Sequence, residues 1–302
     1  MSKNAFTLPS FAKINLLLRV LGKRADGFHE LCTIFQTVSL CDYLTFDDDD
    51  EIVLTCDDAS LSTGGENTIV KAARLLRLKF DVKKGARIHL EKRIPAPGGL
   101  GGGSSNAAVA LIGLARLWDI ESGLAELCEI GKSIGSDVPF FFSGGTALGT
   151  GRGTEISRMA DFVAENLLIV APNVNIATKK AFAQINAPDL TNKSSKSILE
   201  ICRSEAEPRY LRQSELKNDF EATVFELEPE TARAKKTLLD CGAKYALMSG
   251  SGASVFAVFD TNEQRQNTLD SLQTEQNWRV FPAKTVSRSA YRNFLRIDED
   301  FV

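Results

Sequence analysis

Histidine is almost missing from this sequence. His29 and His89 are the only two in 302 residues, too few imidazoles for a multi-histidine zinc site. Cysteine is sparse and unpaired: the six, at positions 32, 41, 56, 128, 202 and 241, form no Cys-x-x-Cys. Reduced, mostly buried thiols are expected in an intracellular chain of this size. No apolar run reaches membrane-spanning length, and the start Met1-Ser-Lys-Asn-Ala-Phe-Thr7 has no signal-peptide core, so residence in the cytoplasm is expected. Basic tracts are missing too. Lys plus Arg number 36 against 39 Asp plus Glu, a net charge of −3, which argues against nucleic acid and anionic membranes as partners. The acidic run Asp47 to Glu51 reads as a solvated turn, and no internal repeat is evident.

Glycine, by contrast, is concentrated. Pro95-Ala-Pro-Gly-Gly-Leu-Gly-Gly-Gly-Ser-Ser-Asn-Ala-Ala108 holds five glycines between Gly98 and Gly103, broken only by Leu100. A connecting loop needs one glycine; five, each costing backbone entropy on folding, need another reason. A helical pattern follows, with Ala108, Leu111, Ile112, Ala115 and Trp118 at three- and four-residue spacing on one apolar face. A Gly-rich turn feeding a helix start offers free N–H groups and a positive dipole end, which suits phosphate. Ser104 or Ser105 is expected to cap that helix, and the spare hydroxyl to reach a phosphate-bound Mg²⁺. Known phosphate loops fit poorly. Ser104 stands where a Walker A loop needs lysine, the dinucleotide spacing fails at its third glycine, and protein-kinase signatures are missing.

Upstream, Ser10 to Val20 alternates as a strand, with Lys13 among apolar residues. Alone, Lys13 reads as an edge or snorkelling lysine. A polar turn, Gly22 to Leu31, ends in Phe28 and His29, and a lone histidine there is as readily structural as functional. Strands are expected over 31–40, 43–46, 52–56 and 87–94, with His89 structural. A helix is expected over 67–78, capped by Asn67. After the loop helix, a second helix over 124–134 stops at Gly135. Asp137 follows. It reads either as the cap of a short helix with Pro139 in its first turn, or as a carboxylate in apolar surroundings suited to take a hydroxyl proton; spacing alone leaves both open. In the second half, strands are expected at 167–171 and 278–286. Helices are expected at 178–185, 218–227, 229–240 and 262–273. Two apolar strands flank Ser249-Gly-Ser-Gly-Ala253, which serves as a hairpin turn or a second ligand loop.

Three stretches together resemble the GHMP kinases, the galactose, homoserine, mevalonate and phosphomevalonate kinase superfamily. Pro9-Ser-Phe-Ala-Lys-Ile-Asn15 resembles its first motif, residues 95–108 its second, and Leu247-Met-Ser-Gly-Ser-Gly-Ala-Ser254 its third. Within it, Arg24 to Leu31, Gly135 to Phe141 and Asn218-Asp219 are similar to the branch that phosphorylates a cytidine diphosphate-linked methylerythritol for non-mevalonate isoprenoid synthesis. The resemblance implies two α+β domains, 1–158 and 159–302, the first like domain 2 of ribosomal protein S5 and the second ferredoxin-like, with the active site between them. It implies ATP and Mg²⁺ as cofactors, with no protein-built metal site, and a small-molecule acceptor; it leaves monomer or weak dimer open. Lys13 and Asp137 would be the catalytic pair, which turns the reading of Lys13 from surface lysine to buried partner. Pro97, Gly98, Gly99, Leu100, Gly101, Gly102, Gly103, Ser104, Ser105 and Asn106 would wrap the triphosphate, with Asn67 and Lys92 lining the nucleotide pocket. Asn15, Phe28, His29 and Phe182 would serve the substrate, the aromatics and His29 forming a cytosine pocket. Phe28 replaces the usual tyrosine, and Gly-Ser-Asp replaces Gly-Ala-Asp. Other expectations are a homoserine or mevalonate kinase, which the aromatic–His pair disfavours, a silent ligand-binding relative, which Lys13 and Asp137 disfavour, and an RNA binder, for which the basic face is missing.

Overall fold

A computed structural model of the chain describes residues 5–174, 176, 178–185 and 216–297. The segment 186–210, for which the resemblance supplies no alignment, lies outside the described residues. Strand β1 (Phe6–Lys23) pairs antiparallel with β2 (His29–Asp47) along almost its whole length. The sequence suggests two strands within β2, but there is one. The break is a bulge: Phe11 pairs with Cys41 and Ala12 with Val38, leaving Ser39 and Leu40 over. Ser39 turns that irregularity outward, its N–H donating to the Lys284 carbonyl.

The first sheet runs β3 (Ile52–Cys56), β4 (Ala86–Glu91), β2, β1, with a hairpin of β5 (Thr146–Thr150) and β6 (Glu155–Arg158) paired to β2 through β5. The second sheet runs β11 (Trp278–Ala283), β7 (Leu167–Pro172), β10 (Val255–Val258), β9 (Tyr245–Met248). Three buried cores separate four layers. Helices α1 (Thr68–Lys79), α2 (Gly102–Leu117), α3 (Leu124–Ile134) and the short α4 (Phe140–Ser143) cover the outer face of the first sheet. Its inner face, through Ala12, Ile14, Leu16 and Ile34, packs on Leu167, Ile169 and Phe256 of the second sheet. Alternation along those strands sends Leu168, Val170, Val255 and Ala257 the other way, into the third core. That core lies under α5 (Thr178–Gln184), α6 (Glu221–Leu227) and α7 (Pro229–Asp240), with α8 (Asn262–Ser271) beside it.

Helix α2 departs from the expected one-faced pattern. Ser105 through Ala115 are all buried. Its alanines make it slim enough to lie between α1, α3 and the sheet, and at Gly113 a Cβ would sit 2.4 Å from the Phe46 ring. Two segments of the second half return to the first. Asn218, expected in a helix, belongs to the two-residue strand β8 (Lys217–Asn218), which pairs parallel with Leu17 and Leu18. A C-terminal helix, α9 (Arg288–Leu295), unexpected from sequence, is capped by Ser287 and buries Tyr291, whose hydroxyl donates to the Phe141 carbonyl at 2.6 Å. Two segments of the second half, β8 and α9, thus pack against elements of the first.

Candidate active site

Helix α2 begins two residues before the expected serine cap. Its N-cap is Gly101, in the left-handed region with φ 70°, and no side chain caps it. The amide of Ser105 turns back to the Gly101 carbonyl at 2.8 Å. The N–H groups of Gly102, Gly103 and Ser104 belong to the first turn, where helical bonding leaves donors over. They lie on a cavity of about 360 Å³ lined by Pro97 to Ser104, Lys13, Asn15 and Asp137, and by Gly250 to Gly252 of the third motif.

Two of the loop's glycines, Gly99 and Gly101, are required by what they touch. A Cβ at Gly99 would stand 2.1 Å from the Ser249 carbonyl oxygen, and one at Gly101 would stand 2.9 Å from Lys13 Cγ. The second and third motifs are thus pressed together. The Ser254 amide donates to the Gly98 carbonyl at 3.1 Å, and Ser249 Oγ to the Gly99 carbonyl at 3.0 Å. Asn218 holds the third motif from behind, giving Nδ2 to the carbonyls of Met248 and Gly250, both at 2.8 Å.

Lys13 comes up from β1 into this junction, 3 % exposed. Its backbone N–H donates to the Leu100 carbonyl, so strand and loop are tied at this residue. The ammonium donates to Asn15 Oδ1 at 2.7 Å and to the Gly99 carbonyl at 2.8 Å, and stands 3.3 Å from Asp137 Oδ2. Three partners match its three N–H bonds. Asn15 passes the order along, donating to Thr33 Oγ1, which donates to the Leu17 carbonyl, both at 2.7 Å. Asp137 is not a helix cap: α4 has Pro139 at its N-cap and no side-chain cap bond. Its carboxylate instead faces Lys13, 35 % exposed to the cavity side.

Several expected ligands are engaged elsewhere. Ser105 is fully buried and accepts from Ser10 Oγ, and Asn106 donates to Ser10 Oγ and Asp42 Oδ2. Ser104, not Ser105, therefore presents its side to the cavity. Asn67 caps α1, accepting from the Ile69 amide, and does not line the cavity; its neighbour Thr68 does, with its hydroxyl on the Gly103 carbonyl. Lys92 is buried against Asp42, Nζ to Oδ2 2.8 Å. Burial pulls its pKa down and the Asp42 charge works against that.

Phe182 and Phe220 line the cavity and meet edge-on at 4.6 Å, and His29, behind the lining, meets the Phe182 ring at 5.2 Å. Burial, aided by the charge of Lys23, holds the His29 pKa below its ordinary value. Phe28 is not stacked on that cluster; it is half-exposed, with the Arg152 guanidinium 3.9 Å over its ring. Phe220, Thr33 and Thr68, which line the cavity, were missed by sequence reasoning. Only Thr68, beside the cap Asn67 and three helical turns of apolar pattern, carried any local signal.

Among the described residues no group of three or more His, Cys, Asp or Glu could hold a metal ion, and no helix is long and apolar enough to cross a membrane. Cys32, Cys41, Cys56, Cys128 and Cys241 are free thiols.

Comparison with known proteins gives the family. Residues 67–145 match the GHMP kinases N terminal domain and residues 194–277 the GHMP kinases C terminal domain. A 4-diphosphocytidyl-2-C-methyl-D-erythritol kinase of Protochlamydia amoebophila (strain UWE25) is 39 % identical over 283 residues, covering 93 % of this chain and 90 % of the relative. A crystal structure of 4-(cytidine 5'-diphospho)-2C-methyl-D-erythritol kinase superposes with a TM-score of 0.74 at 30 % identity, covering 93 % of this chain and 99 % of that one. Homoserine kinase from Cytophaga hutchinsonii shares the fold, with a TM-score of 0.69 at 19 % identity over 95 % of this chain and 96 % of that one.

Proposed function

The chain belongs to the 4-diphosphocytidyl-2-C-methyl-D-erythritol kinases of the GHMP superfamily and phosphorylates that acceptor with ATP; from this premise we propose how its residues carry the transfer. The observation that carries the reading is the Lys13–Asp137 pair, 3.3 Å apart, on the wall of the same cavity as the Gly-rich loop. ATP lies with its phosphates on the first-turn amides of α2, where three N–H groups and the dipole favour anionic charge. The cytidine end lies toward His29 and Phe182. A neutral imidazole there offers one donor and one acceptor, which suits the mixed edge of a pyrimidine.

Asp137 orients the 2-hydroxyl of the methylerythritol and takes its proton as the oxygen bonds to the γ-phosphorus. The bond from that phosphorus to the β,γ-bridging oxygen breaks, and ADP leaves with the electron pair. Lys13 has all three N–H bonds engaged at rest, and the contact to Asp137 is its longest. As Asp137 gains a proton, its claim on Lys13 weakens. The ammonium then turns to the phosphoryl oxygens while Asn15 and Gly99 keep it in place. Mg²⁺, when bound, neutralises triphosphate charge. With no acidic cluster among the described residues to cage it, it would be held by the phosphates with Ser104 as its protein neighbour. The reaction belongs to the non-mevalonate route to isoprenoid precursors, in the cytoplasm.

Purified protein supplied with ATP and, separately, the cytidyl substrate, homoserine, mevalonate and galactose tests this. Turnover confined to the cytidyl substrate is expected; equal turnover of any other acceptor refutes the assignment of the His29–Phe182 end.

A further inference from the structure

Asp42 lies outside the cavity lining and accepts four hydrogen bonds. It lies on β2 opposite Ser10 of β1 and is completely buried. Oδ1 accepts from the backbone amides of Arg93 and Ile94 at 2.8 and 2.7 Å. Oδ2 accepts from Lys92 Nζ at 2.8 Å and Asn106 Nδ2 at 2.9 Å. Residues 92–94 are the last before the Gly-rich loop, and Asn106 is in the second turn of the helix that follows it. Both ends of the loop therefore close on one carboxylate in the middle of the sheet. Lys92 adds a contact from beneath, since a Cβ at Gly102 would stand 3.2 Å from its Nζ.

We propose that Asp42 is a positioning residue for phosphate binding: it holds the two ends of the Gly98–Ser104 loop at the separation that aims the α2 amides at ATP. This rests on the reading that the loop holds the phosphates. A buried carboxylate persists only when its acceptor sites are filled and its charge is paired, and Asp42 meets both conditions with four donors and one cation. The glycines that let the loop approach phosphate also make it soft. A soft loop keeps a fixed geometry only if its ends are anchored, and a small misplacement of aligned groups is expensive in rate and affinity. The loop is also held by Ser254 at Gly98, by Lys13 and Ser249 at Gly99 and by Thr68 at Gly103; Asp42 is the carboxylate that joins the strand end before the loop to the helix after it.

The test is Asp42→Asn, with Asn106→Ala as a milder variant that removes one of the four donors. Each is read by the KM for ATP, the KM for the cytidyl substrate, kcat, and amide hydrogen exchange resolved by segment. In folded Asp42→Asn the ATP KM is expected to rise about tenfold or more, as befits lost buried hydrogen bonds. The substrate KM should change little, and exchange should quicken at 98–104 while β1 and β2 hold theirs. Asn106→Ala should move the same quantities in the same direction by less. An unchanged ATP KM together with unchanged exchange at 98–104 in either variant overturns the proposal, as does exchange that quickens uniformly across the sheet, which is the signature of a stability role alone. If Asp42→Asn does not fold, Asn106→Ala decides by the same criteria. Faster exchange at 98–104 with normal ATP binding would instead fault the reading of the loop as the phosphate site.

Discussion

Asp137→Asn separates chemistry from binding in this site. The substitution keeps the side chain's size and removes its ability to take a proton. Lys13 retains two of its three partners, Asn15 at 2.7 Å and the Gly99 carbonyl at 2.8 Å, so the ammonium stays where it is. The Asp137 side chain is 35 % exposed while Lys13, though buried, keeps its two shorter contacts, so loss of this contact should cost on the order of 1 kcal/mol of stability. The variant should therefore fold with a Tm close to that of the parent. A positioned general base contributes on the order of 10²–10⁴-fold, or about 3–5 kcal/mol of barrier. That range is the expected fall in kcat, with both binding constants nearly unchanged. Single-turnover transfer from saturating ATP reads the chemical step directly. Lys13→Met should lower the same rate, and the double variant should be little worse than the worse single, because the two side chains act as one unit. A near-normal single-turnover rate in Asp137→Asn would refute the assignment of the base, and additive losses in the double variant would refute the coupling.

Gly103→Val tests the phosphate cradle more cleanly than Gly101→Val. A Cβ at Gly103 meets only Thr68 Oγ1 at 3.7 Å, whereas one at Gly101 strikes Lys13 and Phe141. Weakened ATP binding at unchanged Tm is expected, and normal ATP affinity would show the loop misread. His29→Ala and Phe182→Ala should each raise the KM for the cytidyl substrate more than that for ATP, since stacking on an aromatic face is worth about 1–3 kcal/mol per base; the reverse order would displace the cytosine pocket. Burial and Lys23 depress the His29 pKa, so the ring is neutral near neutrality and protonates only as pH falls below its ordinary value. The substrate KM should be flat at the upper end of about pH 5–8 and rise toward the lower end; a profile unchanged in His29→Gln would exclude His29 as its source. Excess EDTA should abolish turnover, and undiminished activity would remove Mg²⁺ from the scheme.

The elements legible in the sequence are those with local causes. The 167–171 strand, the helices at 67–78 and 124–134 and the Gly-rich loop all stand where periodicity and glycine spacing put them. Failures fall where a distant partner intervenes. Asn218 sits in helical sequence but leaves the helix to bind Met248 and Gly250 carbonyls and to pair beside β1. The C-terminal helix carries its signal in Ser287 and Tyr291, yet its reason for forming is the buried contact of Tyr291 with α4.

Within the site the division is similar. The sequence by itself determined the Gly-rich loop, because five glycines before a helix constrain the backbone wherever the rest of the chain goes. It also supplied Lys13 and Asp137 as chemical groups, without deciding between a surface lysine and a buried one, or between a cap and a base. Tertiary structure decided that Lys13 is buried and that Asp137 caps no helix. The β1 strand and the turn before α4 bring the two side chains within 3.3 Å, and the same packing commits Ser105, Asn106 and Lys92 to Ser10 and Asp42 while leaving Ser104 on the cavity. Residue type sets how many hydrogen bonds a polar group can make, but the partners that satisfy it when buried come from elements far away in the chain, and only folding selects them.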